Sequence, residues 1–158
     1  MRLLSTGEAG KCGCAERGYT GGMDTLRQMM SRDRFAAGAA ITLEEVREGH
    51  ARARMEAGTG HLNGVDIVQG GAIFTLADFT FAAACNSSGA VAVAVNVSIS
   101  FLKAARPGTL VAIAEEVSRS KRLSTCSVKV TDASGELVAL FTGTAYRTSR
   151  KVGEASGG

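Results

Sequence analysis

The chain has 158 residues, 45% of them hydrophobic, enough to bury one real core and too apolar for a disordered polymer. Its net charge of +3 is mild, its Lys and Arg are scattered, and aromatics make up only 5%, with no Trp. A nucleic-acid binder would carry a basic stripe interleaved with stacking aromatics, so composition argues against that partner.

Residues 1–22 are Gly-containing and without periodicity, and read as a flexible N-terminal tail. Cys12 and Cys14 form a C-x-C there with no second ligand cluster at zinc spacing, so no metal site is expected. Residues 24–36 predict a short amphipathic helix, with Asp24 as N-cap and Leu26, Met29, Met30 and Phe35 on its inner face. Residues 40–47 and 50–57 predict two strands joined at Glu48-Gly49. In the second, Ala51, Ala53 and Met55 alternate with His50, Arg52, Arg54 and Glu56. A loop at 58–69 leads into an apolar helix over 70–87. Four strands follow at 91–102, 109–118, 123–131 and 136–147, separated by short turns. Residues 149–158 read as a flexible C-terminal tail, leaving one domain over 23–148. Cys85, in the apolar helix, and Cys126, in a strand, read as reduced core residues.

This order is helix, two strands, long apolar helix, four strands. It predicts an α+β fold in which a curved antiparallel sheet wraps one long central helix. The helix's remaining face and the sheet edge favour pairing with a second subunit. The apolar stretch is shorter than a bilayer span and carries a carboxylate at its middle, and the N-terminus lacks a signal-peptide core. A cytoplasmic protein without a membrane partner is expected.

That carboxylate, Asp78, is the only Asp, Glu, Lys or Arg between Asp66 and Lys103. A charge is expensive to bury unless its surroundings use it, so Asp78 is a functional candidate on physical grounds alone. Gly70 and Gly71 open the same helix. Free backbone N–H groups at a helix start are oxyanion donors, and Gly lets a ligand approach closely. An ionised Asp can take a proton from water or attack an acyl carbon directly, and the residues do not decide between these.

The segment His61–Gly89 carries Asn63, Gln69-Gly70-Gly71, Leu76-Ala77-Asp78 and Asn86-Ser87. With the stretch at 95–108, it resembles the hotdog-fold thioesterases, specifically the phenylacetate-degradation (PaaI-like) branch of the 4-hydroxybenzoyl-CoA thioesterase superfamily. The resemblance covers about residues 24–147. It implies hydrolysis of acyl- or aryl-coenzyme A thioesters, with coenzyme A as part of the substrate and no separate cofactor. It also implies a homodimer or dimer of dimers in which Asp78 faces Asn63 and Gly70 of the partner chain. Gln69 stands where many relatives have His, which removes a proton shuttle but leaves the carboxylate mechanism intact. His61, two residues before Asn63, is a candidate for the substrate site. In similar proteins the region of Ser120, Lys121 and Arg122 lies near the coenzyme A nucleotide, whose phosphates attract Arg and Lys. A solvated turn is the plainer reading of that run. Two other readings remain open: a non-catalytic hotdog module that binds an acyl-coenzyme A or aryl ligand, and a hotdog dehydratase, ranked last because neither His50 nor His61 is placed as its base.

Overall fold

The computed structural model describes residues 20–154. The expected tail at 1–22 therefore lies outside the described residues except for its end, as do Cys12 and Cys14. Helix α1 spans Thr20–Met30 and a short α2 spans Arg34–Gly38. Strands β1 (Ile41–Arg47) and β2 (His50–Ala57) precede a 3-10 turn at Thr59–His61 and the central helix α3, Gly70–Asn86. Four strands complete the fold: β3 (Ala90–Phe101), β4 (Gly108–Arg119), β5 (Leu123–Thr131) and β6 (Leu137–Lys151). The last strand thus runs past the expected end of regular structure at 148.

All six strands form one antiparallel sheet in the order β1-β2-β4-β5-β6-β3. A flat sheet of six strands is about 24 Å wide, whereas a helix is about 10 Å across. Yet α3 touches every strand, so the sheet must curl around it. This is the hotdog arrangement expected from the sequence. The floor under α3 is built from small residues: Ala51 pairs with Ala114 and Ala53 with Ala112, all at 0% exposure. On the other side of the helix Phe81 and Phe141 fill the space, with ring centroids 5.5 Å apart. Asn86 pins the helix end to β3: its Nδ2 donates to Ala82 O (2.8 Å) and its Oδ1 accepts from Ala92 N (2.9 Å). Ser87 Oγ donates to Ala84 O and accepts from Gly49 N.

Two departures from the sequence reading have local causes. The expected helix at 24–36 is two helices, with Asp24 inside α1 rather than capping it. Asp33 is the cap that splits them, since its carboxylate accepts from Phe35 N (3.0 Å) and Ala36 N (2.9 Å). Leu26 and Met30 are buried as expected, but the break turns Phe35 outward to 75% exposure. In β3 a bulge between Ala94 and Asn96 interrupts the period of two. Val97 and Ile99 therefore pack on the helix side, while Val93 and Val95 stand exposed at the sheet edge. Ser98 and Ser100 pair with Thr142 and Leu140 on the outer face, away from α3. Cys85 and Cys126 are buried free thiols with Sγ atoms 3.3 Å apart.

Gly143 of β6 lies where the sheet meets the helix most closely. A Cβ there would sit 2.8 Å from the Phe81 ring and 2.9 Å from Phe141. Gly143→Ala should destabilise the fold by about 1–3 kcal/mol through overpacking, read as a lower urea midpoint at unchanged m-value.

Candidate functional site

The loop before α3 is a small closed structure. Asn63 Oδ1 accepts from Val65 N (3.0 Å) and Ile67 N (3.4 Å), and Asn63 N donates to Ile67 O (2.9 Å). Its carboxamide oxygen is thus spent on the loop, leaving Nδ2 for a ligand. His61 is held at both ring nitrogens: Nδ1 accepts from Gly58 N (3.1 Å), so Nε2 carries the proton and donates to Ala39 O (3.1 Å). This ring fastens the loop to the residues that lead into β1.

Gln69 N donates to His61 O (2.8 Å), which places Gln69 as the N-cap of α3. Its side-chain oxygen accepts from Gly71 N. Its backbone carbonyl accepts from Ala72 N and Ile73 N. Of the two Gly donors, Gly71 N–H is therefore already engaged. Gly70 N–H has no acceptor among the described residues and remains the free donor at this helix end. A Cβ on Gly70 would meet Phe101 Cζ at 3.2 Å, so the approach there is close.

Asp78 lies on the one stripe of α3 that the sheet leaves uncovered, together with Gly71, Phe74, Thr75 and Ala82. It is half-buried, and no hydrogen bond or ion pair among the described residues engages it. Burial, with a lesser contribution from the Asp33 carboxylate, pushes its pKa above the ordinary 3.8. Along a helix rising 1.5 Å per residue, Asp78 stands about 12 Å beyond Gly70.

The expected site residues thus fall into separate groups within one chain. Asn63 and Gly70 line one hollow with Ile73 and Phe101. Gln69, Gly71 and His61 line another, an open cavity of about 810 Å³ walled by Phe35, Leu62 and Phe74. Asp78 lies further along α3 and lines neither. Ser120, Lys121 and Arg122 form an exposed turn at the opposite end of the helix. Ser120 Oγ accepts from Arg122 N and Leu123 N, and Arg147 joins Ser120 O to Ser88 Oγ. Arg122 also reaches Tyr146 OH at 3.2 Å. The sequence reading missed Arg34, Phe35 and Thr75 as cavity residues. A cap at Asp33, visible as an Asp two residues before Phe35, was the signal that α2 starts there. No cluster of three or more His, Cys, Asp or Glu that could hold a metal occurs among the described residues, nor is any helix long and apolar enough to cross a membrane.

The chain is similar to known proteins in sequence and in fold. A family described as the thioesterase superfamily matches residues 66–139. The Escherichia coli K12 acyl-coenzyme A thioesterase PaaI is 35% identical over 129 residues, covering 80% of this chain and 92% of that protein. The solved structure of the E. coli PaaI protein from the phenylacetic acid degradation operon superposes with a TM-score of 0.78 at 32% identity. The match covers 82% of this chain and 98% of that one. The smu.793 protein of Streptococcus mutans, solved bound to acetyl-coenzyme A, matches with a TM-score of 0.68 at 28% identity. That match covers 70% of this chain and 90% of that one.

The raised pKa of Asp78 has a consequence for stability. The unfolded carboxyl ionises near 3.8 and the folded one only at higher pH, so the wild type loses stability as pH rises from 3.8 to the raised value. Asp78→Asn lacks this loss. It should be more stable than wild type at neutral pH, with the difference vanishing below pH 3.8, in urea titrations across that range.

Proposed function

The chain belongs to the thioesterase superfamily, and from that premise we propose that it hydrolyses acyl- or aryl-coenzyme A thioesters to the free acid and coenzyme A. The observation that carries the mechanism is the half-buried, unpaired Asp78 on the exposed stripe of the same helix whose first N–H is free. The E. coli relative is named for this activity, and the S. mutans relative binds an acyl-coenzyme A.

A thioester carbon must lie about 3 Å both from its attacking group and from the donors on its oxygen. Gly70 and Asp78 of one chain stand about 12 Å apart along a rigid helix, a wide span for one carbonyl and one water, which favours a second chain as the source of one of them. The reading is therefore a site shared between two subunits, in which Asp78 of one chain faces Gly70 and Asn63 of the other, in a dimer or dimer of dimers. The β3 edge, with Val93 and Val95 exposed and no strand among the described residues on its outer side, supports a pairing surface.

In this scheme Asp78 acts as general base, a role its burial favours by making the carboxylate more basic. Water oxygen attacks the carbonyl carbon while its proton passes to Asp78. The negative charge that develops on the carbonyl oxygen is held by Gly70 N–H, and Asn63 Nδ2 orients the substrate. Collapse of the tetrahedral intermediate breaks the C–S bond, and the proton on Asp78 leaves with the coenzyme A thiolate. Gln69 keeps the helix start in place through its bond to Gly71 N and carries no proton. Lys121 and Arg122 supply charge for the nucleotide phosphates.

Asp78→Asn should lower kcat/KM for acyl-coenzyme A esters by about 10²–10⁴ with folding kept. Gly70→Pro, which removes the donor N–H at a position where Pro suits a helix and adds a ring against the half-exposed Phe101, should cost about 10²–10³. The acid limb of the wild-type kcat/KM profile should lie above pH 3.8. Binding of acyl-coenzyme A without turnover by the wild type would contradict hydrolysis and leave a non-catalytic binding module.

A further inference from the structure

Resting on the thioesterase reading, we propose that Arg34 makes this enzyme prefer thioesters whose acyl group ends in a carboxylate. The 810 Å³ cavity beside the start of α3 has the size of a small-molecule pocket. Phe35, Ala39, Leu62, Ala72 and Phe74 give it an apolar body. Arg34 is the only Asp, Glu, Lys or Arg on its wall among the described residues. His61, also on the wall, is committed at both ring nitrogens to Gly58 and Ala39.

The Arg34 guanidinium has no ion pair or hydrogen bond among the described residues. Its neighbour Asp33 points elsewhere. That carboxylate caps α2 and lines the adjoining hollow with Phe79 rather than this cavity. An unpaired guanidinium at the rim of an apolar cavity is a site for a planar anion, which it can grip through two parallel N–H···O bonds. Apolar walls strengthen such a pair relative to open water.

The anion belongs to the acyl group rather than to coenzyme A, for a reason of reach. Gly71 is on the wall of this cavity, and its neighbour Gly70, the proposed thioester position, lines the adjoining hollow with Asn63, so the two spaces meet at the start of α3. The phosphates of coenzyme A hang at the far end of the long pantetheine arm. A group within one cavity's width of the thioester is therefore met by the acyl end. The basic turn at Lys121 and Arg122 remains for the phosphates.

The test compares esters of equal chain length, adipyl- against hexanoyl-coenzyme A and succinyl- against butyryl-coenzyme A, on the full chain and on Arg34→Gln, with circular dichroism and oligomeric state checked. The wild type should prefer the carboxylated member of at least one pair. In Arg34→Gln the ratio of kcat/KM values, carboxylated over neutral, should fall about ten- to a hundredfold, mainly through KM, and Arg34→Lys should recover part of it. A wild type that prefers the neutral esters overturns the inference. So does a variant that lowers both members equally, which would place Arg34 on the coenzyme A moiety. Hydrolysis of neutral or aryl esters alone overturns this inference and leaves the thioesterase reading standing. Failure to cleave any acyl-coenzyme A removes that reading and this one together.

Discussion

One rigid helix carries both halves of the proposed chemistry, about two turns apart. Gly70 N–H sits at the start of α3 and Asp78 about 12 Å along it. No loop motion shortens a distance set by helical rise. The sheet and the two N-terminal helices together cover α3 except for one stripe, and that stripe bears Asp78. In the proposed chemistry, one carbonyl lies between a donor from one helix and a base from another, contributed by two copies of the chain. The open edge at β3 is the matching feature on the sheet.

The rest of the packing serves to hold that helix still. Four alanines on β2 and β4 bring the sheet close on one side, and Gly143 makes room for Phe81 on the other. Asn86 and Ser87 fix the C-terminal end to β3 and to the β1–β2 turn, while Gln69 caps the N-terminal end. Against this frame, Asp78 stands out as a half-buried carboxylate without a partner among the described residues. Burial disfavours its charged form and so makes it a better base, at a cost in stability. Structural acids elsewhere in the fold do not resemble it. Glu116 is largely buried as well, but hydrogen bonds from Arg119 and Ser124 outweigh its desolvation and hold its pKa below the ordinary 4.5.

Much of the fold was legible because its signals are local and periodic. The six strands and α3 announce themselves through alternation, an uninterrupted apolar run and Gly-containing turns, and Asp78 through being the lone charge in that run. What sequence did not reveal depends on single hydrogen bonds or single inserted residues. One Asx cap at Asp33 turns a continuous helical pattern into two helices and sends Phe35 outward. One bulged residue in β3 moves Val93 and Val95 off the face their spacing assigns them. The same holds at the site. The competition for Gly71 N–H is visible only once the Gln69 side chain is placed, and it singles out Gly70 as the free donor. His61 reads as a possible site residue until both its nitrogens are seen to be committed. Arg34 is one Arg among many in sequence and becomes distinctive only as the single formal charge on a cavity wall among the described residues.

The central claim is that each site takes Asp78 from one chain and Gly70 from another. The most direct measurement mixes two inactive proteins, Asp78→Asn and Gly70→Pro, by refolding them together, and compares thioesterase activity with each alone. Gln69 already has the extended backbone that a following Pro requires, and Phe101 beside Gly70 is half-exposed and can yield, so both proteins should fold. In a mixed dimer with shared sites, one site carries both lesions and the other carries neither. Activity should then return to about a quarter of wild type for random pairing in equal amounts. A mixture as inactive as its parents, with mixed dimers shown to form, would mean that each site is built within one chain and would contradict the account.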